Sequence, residues 1–347
     1  MRSTFSRWLA TNRVPASALL RAVAILMLLA VPVAVARAAS ELEKARTNPD
    51  YHVQGEYQGS LSLAGQPEAP AGAQVVAEGK GEFAAVLFQG GLPGDGWKST
   101  AGRIRGSGKT TGGGTELHFE RASAVLADGK LTFADPAGKP IGTLVRVERQ
   151  SPTLGQSPPK DALVLFDGSS VDAWIGGRLG DDHTLAAGTV SKQEFRDFFL
   201  HLEFCLPFSP RARGQQRGNS GVYLQNRYEL QVLDSFGLDG AINECGALYN
   251  QRAPLVNMCF PPLTWQTYDV TFTAARFDGA KDKLASARVT VKHNGTLIHD
   301  DVEITGPTGG ALGSEYPGLG PLQLQWHFST VTYRNIWIVE KKNSSDR

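Results

Sequence analysis

NSGVYLQNRYELQVLDSFG, residues 219 to 237, contains two short apolar stretches joined by the polar residues of a tight turn. Side chains alternate between the two faces of a strand, so the second stretch has one apolar face and one polar face. The apolar face suits a protein core and consists of Tyr228, Leu230 and Val232. The opposite face carries Glu229 and Gln231. The pattern predicts a strand pair of a β-sheet whose polar face is either solvated or the floor of a binding groove.

The composition is that of a globular protein without a dominant charge. Of the 347 residues, 41% are hydrophobic and 20% are charged, and the 35 basic and 34 acidic side chains give a formal net charge of +1. A nucleic-acid-binding surface would need a strongly basic face, so nucleic acid is not an expected partner. The 39 glycines and 19 prolines are spread along the chain, which favours many short strands over long helices.

Residues 1 to 38 have the pattern of a secretory signal peptide. Four arginines precede or enter an apolar run that ends at Ala36, and Ala36 and Ala38 have the A-x-A spacing of a cleavage site. The run is shorter than the roughly 20 residues of a membrane-spanning helix, and Pro32 and Arg37 interrupt it, which disfavours an uncleaved anchor. We therefore expect an exported protein, periplasmic or extracellular, without membrane association after cleavage.

Export changes the interpretation of the three cysteines. Cys245 and Cys259 flank a loop-like stretch, and in an oxidising compartment we expect them to form a disulfide that contributes about 3 kcal/mol. Cys205 lies in the strand-like segment HLEFCLPF. We interpret it as a buried thiol, because no helix start or basic cluster that could activate it is evident.

Residues 45 to 150 are predicted to form a small all-β domain. Short segments rich in Val, Leu and Phe alternate with Gly-rich connectors, and Asp128-Gly129 predicts a hairpin turn. GSGKTTGGG, residues 106 to 114, lacks the spacing of a phosphate-binding loop, and no helix pattern follows it. We interpret it as a turn between strands, and we find no catalytic cluster in this domain.

A Pro-rich stretch, residues 151 to 161, predicts an extended and fairly stiff linker to a second β-rich region, residues 162 to 341. This region contains eight strand-like segments and no helix-length amphipathic segment, and Asn294-Gly295 predicts a type I′ hairpin. The predicted fold class is therefore all-β. It is an antiparallel β-sandwich with jelly-roll-like connections, preceded by the smaller all-β domain.

Two other strand-like segments of this region repeat the pairing of an apolar face with a polar face. Alternation places three polar side chains on one face of LQLQWHF, namely Gln323, Gln325 and His327. In HLEF the same alternation pairs His201 with Glu203. Amide, carboxylate and imidazole groups suit sugar hydroxyls, so the repetition favours a polar groove over a solvated outer surface.

Seven segments, in chain order, resemble the 3-keto-disaccharide hydrolase domain family, formerly a domain of unknown function. They are LVLFDGSSVDAW (163–174), FRDFFLHLEF (195–204), NSGVYLQNRYELQVLDSFG (219–237), GALY (246–249), WQTYDVTF (265–272), HNGTLI (293–298) and LQLQWHFSTVTYRNIWI (322–338). The resemblance covers nearly all of residues 162 to 340 and does not include the N-terminal domain. It implies a concanavalin A-like lectin/glucanase fold and activity on glycosides whose glucose C3 is a ketone. Members of the family more often carry His-Gly where this chain has His327-Phe328.

The residues themselves disfavour an ordinary glycosidase. Such an enzyme mostly needs two carboxylates flanking the scissile bond, yet the same-face neighbour of Glu229 is Gln231, and Asp234 has the opposite parity. A C3 ketone relaxes this requirement because it acidifies the C2 hydrogen. One base can then remove that proton, O1 can leave, and water can add back to give net hydrolysis.

For this chemistry we expect Glu229 to be the base, with a pKa raised by the groove, and His327 to be the acid or the enolate stabiliser. The expected substrate-binding residues are Gln231 and Gln325, as hydrogen-bond donors, and the weaker rim candidates Asn219, Tyr223 and Glu203. The alternatives are a turn role for Asn219 and a core role for Tyr223. No cofactor is predicted, because no spacing resembles a ligand set; a divalent metal stays an alternative because Glu, His and Asp are available.

A small carbohydrate is thus the expected partner. Two other functions fit the same pattern, a non-catalytic glycan-binding module and a structural or adhesive exported protein. Neither requires the side chains of Glu229 and His327 to lie near each other. The distance between these two side chains therefore distinguishes the enzyme from the other two functions.

Overall fold

The computed structural model describes residues 40–180 and 182–341. The signal peptide expected over residues 1–38 lies outside these ranges. Among the described residues, no helix is long and apolar enough to cross a membrane.

The N-terminal part is a closed antiparallel barrel of eight strands preceded by two short helices. The helices are α1 Ser40–Thr47 and α2 Pro49–Val53. The strands are β1 Gly55–Leu61, β2 Ala69–Gly79, β3 Glu82–Gln89, β4 Arg103–Thr111, β5 Gly114–Phe119, β6 Ala122–Ala127, β7 Lys130–Ala134 and β8 Pro140–Val147. Each strand pairs with the next, and β1 pairs with β8 to close the barrel. Two 3-10 turns, Leu63–Gly65 and Ser99–Ala101, lie in its loops.

The turn chemistry of the barrel follows from its sequence. Asp128 and Gly129 have φ values of 48° and 72° between β6 and β7, as a type I′ turn requires. The glycine-rich stretch 106–114, expected to be a turn, is mostly strand: residues 106–111 belong to β4, and Gly112 and Gly113 form the turn to β5. Inward-facing side chains, including Tyr57, Phe83 and Phe133, fill the interior of the barrel.

The C-terminal part is a sandwich of two antiparallel sheets. The five-stranded sheet has the order β10-β12-β21-β14-β15, with β10 Trp174–Ile175, β12 Thr189–Phe195, β14 Ser220–Leu224, β15 Tyr228–Val232 and β21 Gly320–Leu324. The seven-stranded sheet has the order β11-β22-β13-β16-β19-β20, with β9 also paired to β22. Its strands are β9 Leu163–Phe166, β11 Leu185–Ala186, β13 Phe198–Cys205, β16 Trp265–Thr273, β19 Ala287–His293, β20 Thr296–Ile304 and β22 Thr332–Glu340. A ribbon of β17 Arg276–Phe277 and β18 Lys283–Ala285 and a 3-10 turn, Gly214–Gln216, complete the unit.

The two sheets bury their apolar faces against each other. The five-stranded sheet contributes Leu230 and Leu324, and the seven-stranded sheet contributes Leu202 and Val270 to one continuous core. The Asn294-Gly295 turn joins β19 to β20 with φ values of 49° and 75°, as its sequence predicts. The predicted all-β fold class is confirmed.

The Pro-rich stretch is not a free spacer. Its first residues lie against the outer face of the seven-stranded sheet, where the hydroxyl of Ser151 is 2.6 Å from that of Thr267 and Thr153 donates to Asp269 at 2.8 Å. Proline content alone predicts an extended linker, but side-chain hydroxyls on either side of Pro152 bind it to the sheet.

The barrel also contacts the sandwich directly. Val76 of β2 packs into the sandwich core, and the guanidinium of Arg217 donates to the carbonyl of Ala77 at 3.0 Å. Arg217 is paired with the buried carboxylate of Asp234 at 2.6 Å. Arg217 is thus a buried cation that donates to acceptors in both parts, which holds the barrel and the sandwich together at this point.

Candidate functional site

The polar face of the five-stranded sheet brings together side chains from three neighbouring strands. Tyr223 of β14 lies opposite Glu229 of β15 on one side and opposite Gln323 of β21 on the other. The next row contains Gly221, opposite Gln231, and the chain of Gln325, whose backbone N–H donates to the carbonyl of Gly221 at 2.8 Å. The predicted groove residues Glu229, Gln231 and Gln325 therefore lie on one face of the sheet.

Glu229 is at the centre of this face and is only 2% exposed. Its Oε2 accepts a hydrogen bond from the hydroxyl of Tyr223 at 2.8 Å. Its Oε1 lies directly above Gly221, where a β-carbon would be 2.3 Å from that oxygen. The glycine in NSGVYL therefore leaves the space that the carboxyl group occupies.

Burial raises the pKa of Glu229 to about 7, although the hydrogen bond from Tyr223 partly opposes the shift. Among the described residues, no ion pair involves this carboxyl group. A carboxyl group that titrates near neutral pH can accept or return a proton in a reaction.

Tyr223 links Glu229 to the β21 strand. Its hydroxyl accepts from Nε2 of Gln325 at 3.1 Å and lies 3.0 Å from the carbonyl of Gly309. Burial and the neighbouring carboxyl of Glu229 hold the pKa of Tyr223 above its usual value. The phenol therefore stays protonated and acts as a hydrogen-bond donor.

Two segments cover this row of side chains. The hydroxyl of Thr308 accepts from the backbone N–H of Glu229 at 2.8 Å, and a β-carbon on Gly310 would be 2.5 Å from the hydroxyl of Tyr223. On the same free edge of β15, Tyr249 donates its backbone N–H to the carbonyl of Glu229 at 3.1 Å. Both segments therefore border the edge of β15, and Gly309 and Gly310 cover the hydroxyl of Tyr223.

Gln231 is buried in a separate amide cluster. Its Nε2 donates to Oε1 of Gln215 at 3.2 Å, and its Oε1 accepts from the backbone of Val232 at 3.0 Å. Asn219 donates to the carbonyl of Gln215 at 2.8 Å, while its own Oδ1 is buried without a hydrogen-bond partner among the described residues. Gln215 also donates to the carbonyl of Asn243 at 2.8 Å. Gln215 lies in the 3-10 turn Gly214–Gln216 and Asn243 in a loop, and neither segment has the periodic pattern from which sequence could identify them.

His327 does not join this row. Strand β21 ends at Leu324, and His327 lies on the exposed segment that follows it. No hydrogen bond or ion pair joins His327 to Glu229 in the described part of the chain. The polar partner that the structure gives Glu229 is Tyr223, so a Glu229–His327 pair does not support an enzyme here, and that function depends on Glu229 itself.

Glu203 belongs to a different place, which corrects its assignment to the rim of the site. It lies on the outer face of the seven-stranded sheet, fully buried beneath the Pro-rich stretch. It accepts from the backbone of Gly155 at 2.6 Å and from Arg334 at 2.6 Å. Burial would raise the pKa of Glu203, but hydrogen bonds from His201, Asn335, Arg334 and Gly155 lower it to about 2. Glu203 is therefore an anionic anchor for the stretch that covers it.

The expected disulfide is also corrected, because Cys245 and Cys259 are free thiols in the structure. Both are buried and contact each other. The sulfur of Cys245 also lies 3.3 Å from the hydroxyl of Tyr268, and Cys259 donates to the carbonyl of Leu233 at 3.5 Å. Desolvation raises the pKa of Cys205 to about 12, in keeping with an unreactive thiol.

In the described ranges, no group of three or more His, Cys, Asp or Glu side chains is arranged to hold a metal ion. The chemistry that the row itself can perform is proton transfer. Glu229 offers a carboxyl group near neutral pKa, and Tyr223 and Gln325 offer neutral donors beside it.

The fold and this face define an antiparallel β-sandwich protein with a polar site on one sheet. Residues 161–339 match the model of the 3-keto-alpha-glucoside-1,2-lyase-like domain family, and the chain belongs to that family.

Solved structures similar to the chain include three proteins from Parabacteroides distasonis that are inferred to be glycosyl hydrolases. The first is 32% identical, with a TM-score of 0.49, and the match covers 53% of this chain and 86% of that one. The second is 16% identical, with a TM-score of 0.38, over 53% of this chain and 95% of that one. The third is 19% identical, with a TM-score of 0.33, over 52% of this chain and 94% of that one. No curated protein matches the chain.

Proposed function

We propose that the protein cleaves the glycosidic bond of 3-keto-glucosides or 3-keto-disaccharides by proton abstraction and elimination. The observation that carries this proposal is the buried carboxyl of Glu229, whose pKa of about 7 suits a general base at neutral pH. Membership of a family described as 3-keto-alpha-glucoside-1,2-lyase-like supports it.

In this reaction the ionised carboxylate of Glu229 takes the proton from C2 of the sugar. The C2–H electrons form the enolate of the C3 ketone, and their return drives formation of a C1–C2 double bond as the C1–O1 bond breaks. The aglycone leaves and takes up a proton. Water then adds its oxygen to C1 and a proton returns to C2, so the net result is hydrolysis.

Tyr223 and Gln325 have supporting roles in this proposal. The phenol of Tyr223 holds the carboxyl of Glu229 in place, and the partly exposed Gln325 can donate to the enolate oxygen or a sugar hydroxyl. His327, which lies on the exposed segment after β21, stays a candidate for protonating the leaving group.

Because Glu229 is only 2% exposed, we expect substrate to reach it by displacement of the segment Thr308–Gly310, whose glycines lie against the hydroxyl of Tyr223. This segment is rich in glycine, which lowers the steric barriers to backbone change. The leader expected over residues 1–38 would place the reaction outside the cytoplasm.

The test compares p-nitrophenyl 3-keto-glucoside with p-nitrophenyl glucoside and follows nitrophenol release. Wild-type protein should act only on the ketone, and Glu229→Gln should lower kcat/KM by roughly 10²–10⁴, the usual contribution of a positioned acid or base. Glu194→Gln is the matched control, since Glu194 is exposed on β12 of the same sheet.

Deuterium at C2 of the 3-keto substrate should slow the reaction, because the C2–H bond breaks. Equal rates on the keto and unoxidised glucosides would contradict the proposed mechanism. Binding of the keto sugar without turnover would instead indicate a glycan-binding module.

A further inference from the structure

The segment that follows β21 exposes two aromatic residues. Trp326 is 51% exposed and Phe328 is 85% exposed, and their ring centroids are 4.4 Å apart at an interplanar angle of 51°. The two rings therefore contact each other and leave apolar surface open to solvent. Exposed clusters of large apolar side chains often mark binding sites.

The backbone conformation of Phe328 is unusual for a residue with a bulky side chain. Phe328 has a φ of 53°, in the left-handed region that a bulky side chain seldom adopts because its β-carbon crowds the following carbonyl. Its high exposure means that little burial offsets this strain. A strained residue that persists without a packing role points to function.

Trp326, in contrast, is seated on the backbone of the sandwich. A β-carbon on Gly188 would be 3.0 Å from the β-carbon of Trp326 and 3.6 Å from the guanidinium of Arg178. Arg178 is itself held by a 3.0 Å hydrogen bond to the carbonyl of Ala187. Gly188 therefore leaves room for both the tryptophan and the Arg178 side chain.

The aromatic pair is continuous with the candidate active site. Gln325 directly precedes Trp326, and its Nε2 is 3.1 Å from the hydroxyl of Tyr223, which in turn donates to Glu229. Three residues of chain span at most about 11 Å, so Phe328 is close enough to Gln325 for one two-ring ligand to touch both.

We propose that Trp326 and Phe328 form a stacking platform for the ring of the leaving group, the half of the glycoside that departs from C1. This inference rests on the proposed function and adds a specificity for the leaving group. Substrates whose leaving group has an apolar ring face should bind better than substrates with an alkyl leaving group. Phe328 is then a specificity-determining residue and takes no part in the proton transfers. Aromatic rings favour such ligands because stacking adds to the burial of apolar area.

The test uses methyl 3-keto-glucoside and phenyl 3-keto-glucoside with wild-type protein and with Phe328→Gly. Glycine suits the left-handed backbone, so the variant should fold with an unchanged or higher melting temperature. We expect KM for the phenyl substrate to rise roughly tenfold, the equivalent of one aromatic stacking contact, with kcat and both constants for the methyl substrate unchanged. Leu255→Ala, which removes another exposed apolar side chain of the same unit, should leave KM and kcat unchanged for both substrates.

A change of equal size on both substrates, or no change on either, would overturn the platform and leave the proposed function intact. If wild-type protein cleaves neither substrate, the proposed function fails and calorimetric titration with the same two compounds decides the platform. This titration is made in Glu229→Gln with and without Phe328→Gly. Weaker binding of the phenyl compound alone supports the platform, and equal binding in the two backgrounds refutes it.

Discussion

The hydroxyl of Tyr223 donates a 2.8 Å hydrogen bond to the carboxyl of Glu229 on the adjacent strand, directly opposite in register. This bond stabilises the ionised form of a carboxyl group that burial otherwise keeps protonated. The two effects together set the pH range in which Glu229 can act as a base.

Tyr223→Phe should therefore raise the pKa of Glu229 above its present value of about 7. A base must be ionised, so activity rises with pH through that pKa, and the acidic limb of the kcat/KM profile should move to higher pH. Tyr228→Phe is the matched control, because its hydroxyl bonds to Glu315 at 2.7 Å and not to Glu229. An acidic limb that stays in place in Tyr223→Phe would show that Glu229 does not control it.

Glu229 should also lower the stability of the fold at neutral and basic pH. Its pKa rises from an ordinary 4.5 in the unfolded chain to about 7 in the fold, so the folded state favours the protonated form. Below about pH 4.5 both states are protonated and there is no penalty; the penalty grows through pH 7 and then stays constant.

Glu229→Gln, which is isosteric and neutral, should therefore unfold like wild type near pH 4 and be more stable at pH 8, by about 3 kcal/mol. Urea denaturation at a series of pH values measures this difference, with Glu194→Gln as the exposed control. A variant less stable than wild type at pH 8 would mean that the carboxylate is stabilised by contacts other than Tyr223.

A substitution at Gly221 tests whether the position of the Glu229 carboxyl group matters, without changing that group itself. Its φ is not in the left-handed region, so alanine fits the backbone, but the new β-carbon would lie 2.3 Å from Oε1 of Glu229. Gly221→Ala should displace the carboxyl group and lower kcat/KM by roughly 10²-fold, as misplacement by about an ångström commonly does. Gly279→Ala, where the β-carbon would meet open space, should be silent. Full activity of Gly221→Ala would show that the carboxyl position is not critical.

The sequence predicts the strands well because their alternation is local. YELQV becomes β15 with Leu230 in the core and Glu229 on the opposite face, and the Asn294-Gly295 turn has the expected left-handed angles. Glu229 on β15 and Gln323 on β21 share one face of the sheet, as alternation predicts. Gln325, the residue that follows β21, stays on this face through its contact with Tyr223.

The wrong predictions arise because alternation does not show which sheet a strand joins or at which residue it ends. Glu203 has the right parity on β13, but β13 pairs with β16 and β22, far along the chain, and so lies in the other sheet. The expected position of His327 assumed that β21 continues past Leu324, whereas the segment leaves the strand and turns left-handed at Phe328. The sequence also does not distinguish a core role from a site role for Tyr223, because alternation does not show which face of β14 packs in the core and which meets the segment Thr308–Gly310.

The placement of Glu203 leads to the last prediction, a variant that separates a structural carboxylate from a catalytic one. Hydrogen bonds lower the pKa of Glu203 from 4.5 to about 2 despite its burial, so the ionised side chain stabilises the fold at any pH above about 4.5. That contribution is lost as the pH falls through 2. Glu203→Gln keeps the shape but removes the charge that Arg334 contacts at 2.6 Å.

We expect Glu203→Gln to lower the free energy of unfolding by about 3 kcal/mol at pH 7, with the difference from wild type disappearing near pH 2. The kcat/KM of the folded protein at 25 °C should stay within twofold of wild type, because Glu203 lies on the sheet that does not carry Glu229. Urea denaturation and steady-state kinetics on the same preparation measure both quantities. A loss of activity comparable to that of Glu229→Gln, with stability unchanged, would return Glu203 to the active site.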